Sequence, residues 1–174
     1  MTDRSVHLPE RGGRGEIVRT GRTTEEHTVS KNESVNGPAK RDIPAVQGLT
    51  MLADIQPPFI PEGASGMTVL VEWPPGHPGA APHRHSGPAF GYVIEGAVRF
   101  ELEGEPERVV KAGETFWEPG GDVIHYQDGN ALPDAPTTFV VFMLCEPGRP
   151  MLTFVDEEEL AQRAHLRAPR PAAR

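Results

Sequence analysis

The chain has 174 residues and a formal net charge of −8. A length of this order predicts one domain with a single buried core. The acidic balance argues against nucleic acid or an anionic membrane as the main partner, because both carry negative charge themselves. The single cysteine, Cys145, excludes an intramolecular disulfide framework and is interpreted as a small core residue.

Residues 1–42 form a polar segment rich in Arg, Glu, Gly and Thr, with almost no large apolar side chains. Such a segment cannot bury enough surface to offset its ordering entropy, so we predict a disordered N-terminal tail. No apolar run approaches the length that crosses a bilayer, and the first residues contain no apolar signal core. We therefore expect a cytoplasmic protein without a membrane partner.

Short runs rich in β-branched and aromatic residues begin at Ile43 and are separated by Gly, Pro and Asp. The run at 97–103, AVRFELE, alternates apolar and charged side chains with the two-residue period of a half-buried strand. Many short strands between turn signals predict an all-β sandwich or barrel over 43–155. The run VDEEELAQRAHLR then favours a short C-terminal helix capped by Asp156, with a frayed end, over 156–174.

Two of the seven histidines, His83 and His85, stand one residue apart ahead of a strand-like run. In an extended segment, residues i and i+2 project to the same side, so both imidazoles can reach one point. His125, after a later strand and a Pro-Gly-Gly turn, is the candidate third ligand. Imidazole suits Fe, Zn, Ni and Cu better than the hard-oxygen cations, and three protein ligands leave positions open. The alternative is three unrelated histidines, two in a loop and one in a strand.

Two stretches resemble the paired motifs of the cupin superfamily. GAAPHRHSGPAFGYVIEG, at 79–96, resembles the first motif, which runs from a Gly through His-x-His and a Glu to a closing Gly. GETFWEPGGDVIHYQDGN, at 113–130, is similar to the second, which contains a Pro-Gly, the third His and a final Asn. The resemblance covers roughly Leu49 to Glu146. It implies a jelly-roll β-barrel with a divalent metal in its mouth, held by His83, His85 and His125.

The chain departs from the family pattern where the first motif has its glutamate. That position falls at Ala89, or at Phe90 with the longer spacing, and neither side chain can bind a metal. The chain therefore looks like a three-histidine variant, whose neutral ligands leave a bound ion its full charge and favour an anionic, chelating substrate. Glu118 is the better outside candidate to replace the lost carboxylate, since Glu95 is expected to be exposed at a strand end.

Other side chains near the motifs are candidates for supporting roles. Gln127 shares the face of His125 by the two-residue period and is the candidate polar group of the pocket. The phenols of Tyr126 and Tyr92 are candidates for proton transfer, although strand tyrosines mostly serve packing. The expected pocket mouth is apolar, unless its three aromatic residues are ordinary core: Phe90, Phe116 and Trp117.

The fold alone does not give the reaction. A metal with open positions can act as a Lewis acid, activate O2 or only hold a ligand. The favoured prediction is a non-haem Fe(II) dioxygenase acting on a small organic acid or diketone-like substrate, with Zn, Mn, Ni or Cu as alternative metals. Two further hypotheses are a redox-neutral isomerase or cyclase and a non-catalytic small-ligand-binding cupin. We also expect a homodimer, formed through the N-terminal segment or the run TTFVVFML.

Overall fold

The computed structural model describes residues 47–169, so the tail predicted over 1–42 lies outside the described residues. The described part consists of nine strands followed by one short helix. The strands are β1 Ser65–Trp73, β2 His83–Arg84, β3 Ala89–Glu95, β4 Ala97–Leu102, β5 Arg108–Lys111, β6 Thr115–Glu118, β7 His125–Gln127, β8 Thr137–Cys145 and β9 Thr153–Phe154. The helix, α1, spans Glu157–Arg163 and ends in a 3₁₀ turn, Ala164–Leu166.

The strands form two antiparallel sheets. One has four strands in the order β1-β8-β3-β6, and the other has five in the order β5-β4-β7-β2-β9. The prediction of an all-β fold with a short C-terminal helix is confirmed. The prediction of a closed barrel is wrong, because across residues 47–169 no ladder joins one sheet to the other. The connections at 74–82 and 128–136 are rich in Pro and Gly, which interrupt ladders and favour turns.

The core lies between the two sheets and is built from side chains that alternate along each strand. In β3, Ala89, Gly91 and Val93 face inward, whereas Phe90 and Tyr92 face outward. Gly91 leaves room for an aromatic ring, since a Cβ there would lie 2.1 Å from Cζ of Phe116. Cys145 is buried in the same core, as expected, and burial raises the pKa of its thiol.

Helix α1 covers the outer face of the five-stranded sheet. Asp156 caps it, since its carboxylate accepts a hydrogen bond from the Glu159 N–H at 2.8 Å. Leu160 packs on the apolar patch formed by Ile124, Tyr126 and Val155. Three ion pairs tie this region to the sheet: Arg84–Glu159, Arg163–Glu103 and Arg167–Glu101. None of the described helices is long and apolar enough to cross a membrane.

Candidate metal centre

Four buried side chains from the two sheets meet at one point between them. His83 begins β2, His85 follows β2, His125 begins β7, and Glu118 ends β6. Each offers one potential ligand atom, and these atoms all lie within 4.8 Å of one another. The structure therefore brings together the three histidines predicted from the sequence and adds a carboxylate to them.

Strand pairing explains why the histidines converge. His83 and His125 are direct partners across the β2–β7 ladder, with ring centroids 5.0 Å apart. His85 lies two residues beyond His83 on the same side, and the centroids of these two rings are 4.9 Å apart. The rings of His83 and His85 thus lie on the same side of the chain, as the two-residue period of an extended segment predicts.

The carboxylate of the cluster lies on β6, the strand that pairs with β3, where the cupin motif places its glutamate. Glu118 on β6 is the direct cross-strand partner of Ala89 on β3, and both face inward. Directly opposed residues of an antiparallel ladder have Cβ atoms about 5 Å apart, so a carboxylate on either strand reaches the same space. The expectation of a three-histidine site without a carboxylate is therefore wrong: Glu118 supplies it.

Hydrogen bonds to backbone carbonyls set the orientation of all three imidazoles. The pairs are His83 Nδ1 to Ala81 O at 2.8 Å, His85 Nδ1 to Met151 O at 2.9 Å and His125 Nε2 to Gln127 O at 2.7 Å. A carbonyl only accepts, so these ring nitrogens carry the proton, and the other nitrogen of each neutral ring carries a lone pair. Two of these second nitrogens face Oε2 of Glu118, at 3.3 Å from His85 Nε2 and 3.0 Å from His125 Nδ1.

The residues present fit a divalent metal ion. Nδ1 of His125 is buried and makes no hydrogen bond to any residue of 47–169, although it lies close to the carboxylate. Lone pairs that face a carboxylate repel it unless a cation stands between them. Three imidazole nitrogens and one carboxylate oxygen are ligands that divalent transition metals take, and an N–H held by a backbone carbonyl is the usual way to orient a ligating histidine.

The electrostatics of the cluster agree with this interpretation. Burial alone would raise the pKa of Glu118, but the facing His125 and His85 outweigh it and lower this pKa to about 2. Burial works to lower the pKa of His125, yet the Glu118 carboxylate raises it overall. A divalent cation bound among these groups would likewise favour the ionised carboxylate.

The cluster forms one wall of a cavity of about 70 Å³. Apart from the cluster and Asp128, the described residues that line it are apolar and come from the four-stranded sheet and the loop before β9: Val69, Val71, Phe116, Phe139, Val141, Met143, Met151 and Leu152. Since one water needs about 10–15 Å³ of such space, a molecule of only a few heavy atoms fits. Of the aromatic residues predicted at the mouth, Phe116 lines the cavity. Phe90 and Trp117 instead pair with each other on the outer face of the four-stranded sheet.

The predicted catalytic candidates do not line this cavity. Gln127 holds His125 through its backbone carbonyl, and its side-chain Oε1 is buried without a hydrogen-bond partner among the described residues. Tyr126 points to the opposite face of the sheet, where the Arg167 guanidinium lies 4.5 Å from its ring centroid. Tyr92 faces outward from β3. The carboxylate that does reach the cavity, Asp128, was missed because β7 ends at Gln127 and strand alternation no longer holds beyond it.

Residues 69–143 match the family model of the cupin domain, and this range contains the whole cluster. The chain belongs to the cupin superfamily. No curated protein is similar enough to match it.

Three solved structures illustrate the similarity. An oxalate oxidase in complex with the substrate analogue glycolate is 28% identical, with 52% of this chain and 46% of that chain covered and a TM-score of 0.43. The DMSP lyase DddQ from Ruegeria pomeroyi DSS-3 is 22% identical, with 52% and 43% covered and a TM-score of 0.43. KdgF from a Halomonas species is 30% identical, with 47% and 71% covered and a TM-score of 0.38. The chain thus spans less than half the length of the first two.

Proposed function

We propose that the protein is a metal-dependent cupin enzyme that binds one divalent ion through His83, His85, His125 and Glu118. The observation that carries the proposal is the convergence of three carbonyl-anchored imidazoles and one ionised carboxylate in a buried, apolar pocket. Four protein ligands leave positions open in a six-coordinate ion. A bound ion would supply Lewis acidity there and, if it is iron, reactivity towards O2.

For the reaction, we propose dioxygenase chemistry with Fe(II) on a small diketone-like substrate. A mixed set of histidine and carboxylate ligands with open positions is typical of non-haem Fe(II) oxygenases, which supports iron. The apolar walls, among them Val141, Phe139 and Met143, would bind the apolar part of the substrate and keep water out. The ion held by Glu118 and the three imidazoles would bind its polar end.

The cluster affects the support for each of the two alternative functions. A redox-neutral isomerase or cyclase would use the same ligands with Zn, Ni or Mn, so the identity of the metal separates it from the dioxygenase. Loss of the carboxylate expected at Ala89 would by itself support the non-catalytic binding cupin. Glu118 fills that place, and this reason no longer applies.

Metal analysis tests the proposal directly. We expect protein purified without added metal to contain close to one equivalent of iron, and to consume O2 with small diketones. His85→Ala should lose the metal because it removes a buried ligand. His165→Ala is the matched control, since His165 is exposed on the C-terminal 3₁₀ turn and should leave metal content unchanged. Wild-type protein without metal, or full retention of metal by His85→Ala, would contradict the proposal.

The homodimer expected from the sequence is a further proposal. Leu70 and Phe142 are 59% and 42% exposed on the outer face of the four-stranded sheet. They lie on β1 and β8, and β8 contains the run TTFVVFML. We propose that a second copy of the chain packs on this face, because burying large apolar side chains favours association.

Sedimentation measures the dimer. We expect wild type to sediment as a dimer and Leu70→Lys to shift it to a monomer, because the lysine places a charge in the interface. Val109→Lys makes the same type of change at a residue 48% exposed on the other sheet and should leave the dimer intact. A monomeric wild type, or a Leu70→Lys variant that stays dimeric, would show that this face is not the interface.

A further inference from the structure

The polar side chains of the cavity have an unusual charge balance. Besides the three imidazoles they are two carboxylates, Glu118 and Asp128. Within the described part of the chain, no lysine or arginine lines the cavity. A pocket that recognises an anion through its side chains normally presents a cation to it, and arginine is the usual choice for a carboxylate. This cavity presents the opposite charge.

Asp128 is held in place by the loop that precedes β2. The side chain is only 9% exposed, and its Oδ1 accepts a hydrogen bond from the Ala80 N–H at 2.6 Å. The loop comes this close because residue 79 is glycine. At its φ of +88°, a Cβ would lie 2.1 Å from Oδ1 of Asp128. Glycine is therefore required there, both for the backbone conformation and for the close approach.

The backbone of Asp128 is fixed as well. Its carbonyl accepts a hydrogen bond from the indole N–H of Trp73 at 3.0 Å, and the Trp73 ring stacks on His77 with centroids 4.1 Å apart. Across residues 47–169, no cationic side chain forms an ion pair with Asp128. The side chain lines the same cavity as the four residues of the cluster.

The two carboxylates together balance the charge of a divalent ion. An anion that enters the cavity would therefore find no net positive charge and would lie near Asp128 in a poorly solvated space, where repulsion between like charges is strong. An uncharged molecule meets no such penalty. The apolar walls would favour it, provided that it has only a few heavy atoms.

We propose that the substrate is a small, uncharged, largely apolar molecule, and that Asp128 is the specificity residue that excludes anions from the metal site. This inference rests on the proposed metal-dependent function and narrows its substrate class. It replaces the anionic, chelating substrate that the sequence favoured, because that expectation assumed three neutral ligands and no carboxylate.

Ligand binding to cobalt-loaded protein tests the inference without any turnover. The visible absorption of Co(II) reports ligands entering its coordination sphere, with azide as the anionic probe and imidazole as the uncharged probe at about pH 8. Asp128→Asn removes the charge but keeps an oxygen for the Ala80 N–H. We expect it to bind azide about tenfold more tightly than wild type, equivalent to about 1.4 kcal/mol, with imidazole affinity unchanged.

Asp134→Asn is the matched control, because Asp134 is exposed in a loop and should leave azide affinity unchanged. Equal azide affinity in wild type and Asp128→Asn, or an equal gain for imidazole, would overturn the role of Asp128 while the metal site stands. If wild type takes up no cobalt, the proposed function fails together with the inference. Should Asp128→Asn not fold, Met151→Lys tests the same charge argument from another wall and should also tighten azide.

Discussion

Glu118→Gln is expected to weaken the binding of divalent metal by at least about 100-fold while leaving the fold intact. The substitution keeps the size of the side chain but removes the charge that faces His85 and His125. Loss of an orienting neighbour alone typically costs 10–100-fold in metal affinity, and Glu118 is placed as a ligand. Isothermal titration with Fe(II) under anaerobic conditions, or with Co(II) in air, measures the change. Glu95→Gln, at the exposed end of β3, is the control and should bind as wild type does.

The register between β3 and β6 allows a stricter test of the same prediction. If the carboxylate can stand on either strand, Glu118→Ala combined with Ala89→Glu should recover most of the affinity that Glu118→Ala loses. The two positions are direct cross-strand partners on the inner face, so the swap conserves both charge and volume. A double variant that binds metal no better than Glu118→Ala would show that the position on β6, and not only the carboxylate, is required.

Arg167→Met should destabilise the protein by about 3 kcal/mol, because it leaves a buried charge without a partner. Glu101 is 1% exposed, and its two oxygens accept hydrogen bonds from Arg167 at 2.5 and 2.6 Å. The methionine also removes the guanidinium that lies over the Tyr126 ring. Urea denaturation measures the free energy of unfolding, and the melting temperature should fall by about 10 °C.

Two comparison variants separate this effect from a general loss of arginine. Arg149→Met breaks an exposed pair with Glu146 and should cost less than about 0.5 kcal/mol. Adding Glu101→Leu to Arg167→Met should restore much of the lost stability, since an apolar pair of similar volume can replace a buried ion pair. An Arg167→Met variant as stable as Arg149→Met would contradict this account of the C-terminal region.

The sequence could place His83 and His85 side by side because their geometry is local. His125 came instead from the second cupin motif, since its pairing with His83 is not local. The i, i+2 spacing of His83 and His85 needs only an extended backbone to bring the rings together. Glu118 could not be assigned in the same way, because its place depends on the pairing of β6 with β3, which no local pattern shows. The spacing of the first cupin motif placed the expected glutamate at Ala89. The register then puts a carboxylate opposite it.

The orientation of both tyrosines follows from the two-residue period of a strand. The two-residue period that placed Gln127 on the face of His125 also places Tyr126 on the opposite face, as observed. The same period in β3 turns Tyr92 outward once Ala89 is known to face the core. Asp128 is different, because it follows the end of β7 and its position depends on the distant loop that contains Gly79 and Ala80.

The added carboxylate also changes the electrostatic argument for the substrate. With three neutral imidazoles, a divalent ion would attract anions. With Glu118 ionised at its pKa of about 2 and a second carboxylate in the cavity, that attraction is cancelled. One side chain that the sequence offered only as an outside candidate therefore affects both the ligand set and the proposed substrate class.

Anomalous X-ray diffraction from crystals of the metal-loaded protein tests the central claim most directly. We predict one strong peak between the two sheets, at about 2.0–2.2 Å from Nε2 of His83 and His85, Nδ1 of His125 and a carboxylate oxygen of Glu118. The absence of a peak at this place, or a peak bound by the histidines with Glu118 turned away, would contradict it.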